Sequence, residues 1–337
     1  MGLHIVLRSA LLFLGITLVF FKLAPDSFAQ STDEVRIDPP ERPLASNFPN
    51  ASGTGSFPAR LRPLQIDVNL VLVPVTVTDA ANRPVMDLEL QNFSVYEQEQ
   101  PQKIRYFSTE DAPISVGLIV DVSKSMSNKI DAVREAVGEF FRIANPEDDY
   151  FVITFADRPR VLADTTQSVG TIREKLASIT PAGHTALLDA IYLAEAKMRS
   201  ATYSRRALLI ISDGGDNHSR YRAKEIRQLV QEADVEIYAI GIFDSTFKTP
   251  EEWAGKRLLT DITGATGGRC VTLDHLRELP QITADISWEL RSQYVLGYRP
   301  ETVSRDNQWH TIKVRVAAPE GVPLQVHAKK GYLATAR

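Results

Sequence analysis

Cysteine is almost missing from this chain: Cys270 stands alone among 337 residues. One thiol cannot close an intrachain disulfide or build a cysteine-based zinc cluster. Histidine is sparse as well. His4, His184, His218, His275, His310 and His327 form no HExxH or HxxxH pattern, which removes the common zinc hydrolases. There is no basic excess either. Thirty-eight Lys and Arg face 42 Asp and Glu, a formal charge of −4, so the electrostatic footprint of a nucleic-acid binder is lacking. With 44% hydrophobic and 24% charged residues, a mostly disordered or collagen-like chain is excluded. The length leaves room for two compact units or one large one.

Long apolar runs of the membrane-directed kind are confined to the amino terminus. Arg8 precedes a run from Ala10 to Phe21, interrupted by Gly15 and Thr17 and closed by Lys22; Pro25 and Ser27-Phe28-Ala29 follow. A charged start, an apolar stretch of roughly 7–15 residues and a small-x-small site describe a secretory signal peptide. Residues 1–29 are therefore expected to be a leader cleaved after Ala29. An uncleaved anchor is the rival, but a span needs about 20 apolar residues. No cysteine near the site is there to carry a lipid. Loss of Arg8, Lys22 and Asp26 leaves 36 basic and 41 acidic residues, a charge of −5, and no second membrane span is expected.

Residues 30–65 hold Pro39, Pro40, Pro43, Pro49, Pro58 and Pro63 around Ser52-Gly53-Thr54-Gly55-Ser56, with no apolar period. That composition predicts a linker. From Ile66, Val71, Val73, Val75 and Val77 alternate with Leu72, Pro74, Thr76 and Thr78, the period of a strand. Pro74 cannot donate to a ladder, so this strand is expected at an edge or with a bulge. Asn82-Arg83-Pro84 reads as a turn, and 93–96 and 104–107 as further strands. At the other end, Ile312, Val314 and Val316, and then Leu324, Val326 and Ala328, alternate with polar residues; 294–298 precedes them. Residues 66–109 are small for independent stability. We expect them to pair with 294–335 in one antiparallel β unit, with residues 113–292 inserted between the halves.

Within 113–292 the pattern is α/β. The continuous apolar run Ile114–Val120 ends at Asp121, as in a parallel strand buried on both faces. Runs at 150–155, 207–212 and 235–243 read the same way. Helices are expected at 130–144, 187–198, 223–232 and 276–290, and a turn at Gly264–Gly268 before a strand at 269–273. Alternating βα units predict a doubly wound, mainly parallel sheet. In such sheets ligands gather at the carboxyl ends of the strands.

Oxygen-bearing residues stand where that rule directs attention. Asp121-Val122-Ser123-Lys124-Ser125 follows the first run, Asp213-Gly214-Gly215-Asp216 follows 207–212, and Pro181-Ala182-Gly183-His184-Thr185 precedes a helix. Carboxylate and hydroxyl oxygens are hard ligands suited to Mg²⁺ or Ca²⁺, not to zinc or copper. Each residue also has a plainer reading: Asp121 as a helix cap, Thr185 as the cap of helix 187–198, Asp213 as a turn residue. Asp216 reads as a loop or capping residue, Cys270 as a small buried side chain, and Arg205-Arg206 as a solvated turn.

These motifs resemble the von Willebrand factor type A (VWFA) domain, whose metal-ion-dependent adhesion site combines Asp-x-Ser-x-Ser with a distant Thr and a distant Asp. The resemblance covers about 113–290. It implies a Rossmann-like fold and the metal set Asp121, Ser123, Ser125, Thr185 and Asp213. The loop reads Gly-His-Thr where many relatives have Gly-Gly-Thr, so His184 either crowds the metal or points outward. The flanks, Val77-Thr78-Asp79 through Phe107 and Gly331-Tyr332, are similar to secreted VWFA-related proteins of Acidobacteria. The resemblance further implies a bacterial protein that is secreted or lies in the periplasm or cell envelope. It would bind Mg²⁺ (or Ca²⁺ or Mn²⁺) and engage a protein ligand offering an Asp or Glu carboxylate. A structural part of an envelope or secretion assembly is the alternative. A metal-dependent hydrolase is a weaker one, since no general base pairs with Ser123 or Ser125 and no second carboxylate cluster stands out. An enzyme is not expected.

Overall fold

A computed structural model describes residues 70–80, 82–243, 250–273, 275–300, 308–317 and 323–334. All belong to the compact unit of residues 65–337. The leader and the linker expected at 1–65 lie outside the described residues.

The chain enters through β1 (Val71–Thr78), β2 (Phe93–Glu97), β3 (Gln100–Gln102) and β4 (Ile104–Ser108). A βα succession comes next: β5 (Ser115–Asp121), α1 (Ile130–Ile143), β6 (Asp149–Phe155), β7 (Pro159–Thr166), α2 (Val169–Ala177) and α3 (Leu187–Met198). It continues with β8 (Arg206–Ser212), α4 (Ala223–Glu232), β9 (Glu236–Gly241), α5 (Pro250–Thr266), β10 (Cys270–Thr272) and α6 (Leu279–Arg291). The chain then runs through β11 (Tyr294–Tyr298), β12 (Trp309–Val316), β13 (Gln325–Ala328) and β14 (Gly331–Leu333).

The central sheet has the order β10-β9-β8-β5-β6-β7, parallel except for antiparallel β7. Every residue of β5, β6 and β9 is buried, as befits strands covered on both faces. On one face Val116, Leu118 and Val120 pack with α1, α2 and α6 through Phe140, Ile172 and Ile286. On the other, Ile119, Ile153 and Ile210 pack with α3, α4 and α5 through Ile191, Ile226 and Leu259. This is the doubly wound α/β architecture. Not anticipated are β7, α2 and α5. The last covers Gly264, so the turn before β10 narrows to Gly267 and Gly268. The expected helix 276–290 opens as a 3-10 turn at Leu276–Glu278, with α6 proper starting at Leu279.

Two further four-stranded antiparallel sheets combine strands from both ends of the chain, in the orders β13-β1-β11-β4 and β14-β12-β2-β3. Their shared core holds Val73, Val75, Val77, Phe93, Val95, Tyr294, Leu296 and Ile312. β1 is an interior strand, not an edge. It tolerates Pro74 because β13 begins to pair only at Val75, so Pro74 has a neighbour on one side alone, Val295 of β11. Among the described residues, no helix is long and apolar enough to cross a membrane.

Candidate functional site

β5 and β8 are adjacent and parallel, with Val120 opposite Ile211, so Asp121 and Asp213 emerge side by side at the carboxyl ends. Asp121 is fully buried and Asp213 nearly so. The carboxylate of Asp121 is fixed from two sides. Its Oδ1 accepts the backbone N–H of Ser123 at 2.9 Å, and its Oδ2 accepts the hydroxyl of Ser212 at 2.7 Å. Ser212 Oγ in turn accepts the N–H of Gly214 at 3.0 Å, which couples the two strand ends. Ser123 Oγ and Ser125 Oγ lie 3.0 Å apart. Ser123 is buried and Ser125 is exposed, so the hydroxyl pair leads from the carboxylate to the surface.

The third loop is tied to the first by its backbone: Ala182 N donates to Val122 O at 2.9 Å, and Lys124 N to Gly183 O at 3.1 Å. Gly183 has φ +86°, and a Cβ there would meet the Asp157 carboxylate at 2.8 Å, so only glycine suits this corner. Thr185 is buried and held by the loop that carries Asn217. Its N–H donates to Asn217 Oδ1 at 3.0 Å, and its carbonyl accepts the N–H groups of Asn217 and His218. Thr185 does not cap α3. Asp216 does, accepting Leu187 N–H at 3.0 Å and the Ser219 hydroxyl at 2.6 Å. His184 is engaged by Asp157, with Nδ1 2.8 Å from Asp157 Oδ1, and its ring stacks on His218 at 5.0 Å.

Electrostatics separate this cluster from an ordinary strand-end turn. The carboxyl of Asp121 is raised to about 6, first by burial and then by the neighbouring charge of Asp213; the hydrogen bonds from Ser123 and Ser212 oppose the rise. Burial and a neighbouring like charge both disfavour the ionised form of such a carboxyl, and a nearby cation favours it. Lys129 supplies a cation here, its Nζ 3.2 Å from Asp213 Oδ2. Among the described residues, no group of three or more His, Cys, Asp or Glu is placed to hold a metal. The donor set here is of another kind, two carboxylates with the hydroxyls of Ser123, Ser125 and Thr185. All are hard oxygens, the ligand type of a small divalent cation. Three participants are not apparent from the sequence: Ser212, Lys129 and Asn217. Ser212 is hidden as the last residue of an apolar run, and the other two reach their partners only across the fold.

Residues 116–215 match the family model of the von Willebrand factor type A domain. Among solved structures, the conserved hypothetical protein BatB from Bacteroides thetaiotaomicron is 18% identical, with a TM-score of 0.42, covering 53% of this chain and 100% of that one. An aerotolerance-related membrane protein from Bacteroides fragilis is 17% identical, with a TM-score of 0.44 and coverages of 52% and 98%. A von Willebrand factor type A protein from Catenulispora acidiphila is 11% identical, with a TM-score of 0.47 and coverages of 77% and 73%. Comparison with curated proteins gives no match.

Proposed function

We propose that the chain is an exported, non-enzymatic binding module that engages a protein partner through a divalent metal, Mg²⁺ or else Ca²⁺ or Mn²⁺. Asp121 and Asp213 would supply the charge at the metal, and Ser123, Ser125 and Thr185 neutral oxygens in its inner or outer shell. The bound ion would offer a Lewis-acidic point to a carboxylate of the partner. The observation that carries this reading is the pair of buried, hydrogen-bonded carboxylates at adjacent strand ends, with the Asp121 carboxyl raised by burial and by the charge of Asp213. The von Willebrand factor type A match over the same loops supports it. Export to the bacterial envelope or medium rests on the leader pattern of residues 1–29. The division into a β unit of 66–109 with 294–335 and an inserted domain of 113–292 is likewise part of the proposal, supported by the ladders that join β1 to β11 and β2 to β12.

Titration calorimetry tests the site. The wild-type protein is expected to bind one Mg²⁺ or Mn²⁺, and Asp121→Ala none. Absence of binding in the wild type, or equal binding in the variant, would refute the metal reading.

A further inference from the structure

Lys129 spans the site in a way that neither the adhesion-site motif nor the proposed metal set accounts for. It sits in the turn between the Ser123–Ser125 loop and α1, where its N–H donates to Met126 O at 2.9 Å. Its side chain crosses to the neighbouring strands. Nζ donates to Asp213 Oδ2 at 3.2 Å and to the carbonyl of Ile242, just past β9, at 3.3 Å. The side chain is only 16% exposed and its carboxylate partner 11%, so this ion pair is largely withdrawn from solvent. Ile242 is itself fixed by donating its N–H to Ser212 O at 2.9 Å, and Ser212 is the residue whose hydroxyl holds Asp121. The ammonium is therefore gripped by the same framework that positions both carboxylates.

We propose that Lys129 is a tethered counter-cation of the metal site: it neutralises Asp213 when no metal is bound and lowers the affinity for a divalent ion. This rests on the metal reading above and adds the regulation of that site. A buried pair of like charges is relieved by any nearby positive charge, whether a metal ion or an ammonium. With Lys129 in place the cluster carries one net negative charge; without it, two. A divalent ion approaching Asp213 meets a fixed positive charge already on one oxygen of that carboxylate, and at short range in a partly buried site such repulsion is only weakly screened. The consequence is a site that stays folded without metal and fills only at a raised metal concentration.

The test compares wild type, Lys129→Met, which keeps the apolar stem, Lys129→Arg, which keeps the charge, and Asp121→Ala. Each is titrated with Mg²⁺ by calorimetry and melted in chelator and in excess Mg²⁺. Lys129→Met is expected to bind Mg²⁺ about tenfold tighter or more than wild type. It should melt at a lower temperature in chelator and recover in Mg²⁺, while Lys129→Arg stays close to wild type in affinity. Wild-type binding that Asp121→Ala abolishes, with unchanged or weaker affinity in Lys129→Met, would overturn the counter-cation and leave the metal site standing. No binding in either wild type or Lys129→Met overturns both. Binding by Lys129→Met alone would refute the metal reading for the protein as it stands, the ammonium then being a permanent substitute for the metal. Should Lys129→Met fail to fold, Lys129→Gln carries the same comparison.

Discussion

At the amino ends of the parallel strands, Glu289 of α6 is completely buried, yet Arg269 closes on it with Nε 3.1 Å from both carboxylate oxygens and Nη2 on Oε1. Beside it Glu236, which opens β9, accepts from Gln293 and from the Tyr238 hydroxyl, and burial raises its carboxyl to about 7. At the carboxyl ends of the same sheet, Asp213 meets the ammonium of Lys129, and the hydrogen bonds of Asp121 come from the neutral groups of Ser123 and Ser212. Burial is similar at the two ends; the cationic contact differs, an arginine fork on both oxygens of Glu289 against a single lysine contact to Asp213. The amino end is a closed polar joint where α6 hands the chain to β11. The carboxyl end, held by one lysine contact, is the less tightly closed of the two.

That contrast is broken most severely by removing the arginine. Arg269→Met leaves Glu289 buried and unpaired, which costs about 3–5 kcal/mol. Urea unfolding should show that loss, and Glu289→Leu added to Arg269→Met should recover much of it. A loss below about 1 kcal/mol would mean that the joint is not closed by this pair.

A further buried acid sharpens the comparison. Glu195 on α3 is buried, its Oε1 accepts no hydrogen bond, and burial raises its carboxyl to about 8 against the weaker pull of Arg199 and Arg206. Its folded value lies above the unfolded one near 4.5. Its stabilising contribution is therefore full below about pH 4.5 and is lost as pH rises through 8. Glu195→Gln should remove that dependence, leaving a variant that gains about 2–4 kcal/mol on wild type between pH 4.5 and pH 9. Parallel pH curves for the two proteins would show that the carboxylate ionises freely in the fold.

Packing around the open end gives a smaller effect. Gly255 of α5 lies so close to the loop after Asp213 that a Cβ would sit 1.7 Å from the carbonyl oxygen of Gly214. Gly255→Ala must push helix and loop apart, at about 1–3 kcal/mol. It is expected to weaken Mg²⁺ binding as well, since the displaced loop carries Asp213. Wild-type affinity with reduced stability would separate the packing from the site.

How far these features are legible in the sequence depends on which signals are local. The strands β5, β6, β8 and β9 announce themselves as unbroken apolar runs because helices cover both their faces. The Asp-x-Ser-x-Ser run and Asp213 are conspicuous because polar oxygens follow such runs directly. By contrast β7 is largely exposed and reads as loop, α2 buries only Ile172 and Leu176, and α5 begins at a proline and contains Gly255 and Gly264, which dilute its helical signal. The interior place of β1 depends on β13, some 250 residues later in the chain, so Pro74 alone points to an edge. Lys129 meets Asp213 across 84 residues. No spacing rule within one helix or strand pairs residues at that distance; the sheet order does.

The smallest expected change in stability concerns the hydroxyl of Thr185. Thr185 is held through its backbone: its N–H reaches Asn217 Oδ1, and its carbonyl takes the N–H groups of Asn217 and His218. All three bonds survive in Thr185→Ala. The side chain removed is small, and the adjoining α3 keeps its cap because Asp216, not Thr185, accepts Leu187 N–H. Stability in chelator should therefore change by less than about 1 kcal/mol. If the hydroxyl is one of the metal's oxygens, Mg²⁺ affinity should fall several-fold while the melting temperature without metal stays near wild type. Conversion to Ser, which restores the oxygen, should regain most of that affinity. Equal affinity in all three proteins would remove Thr185 from the metal set and leave the two carboxylates and the Ser123–Ser125 pair to hold the ion.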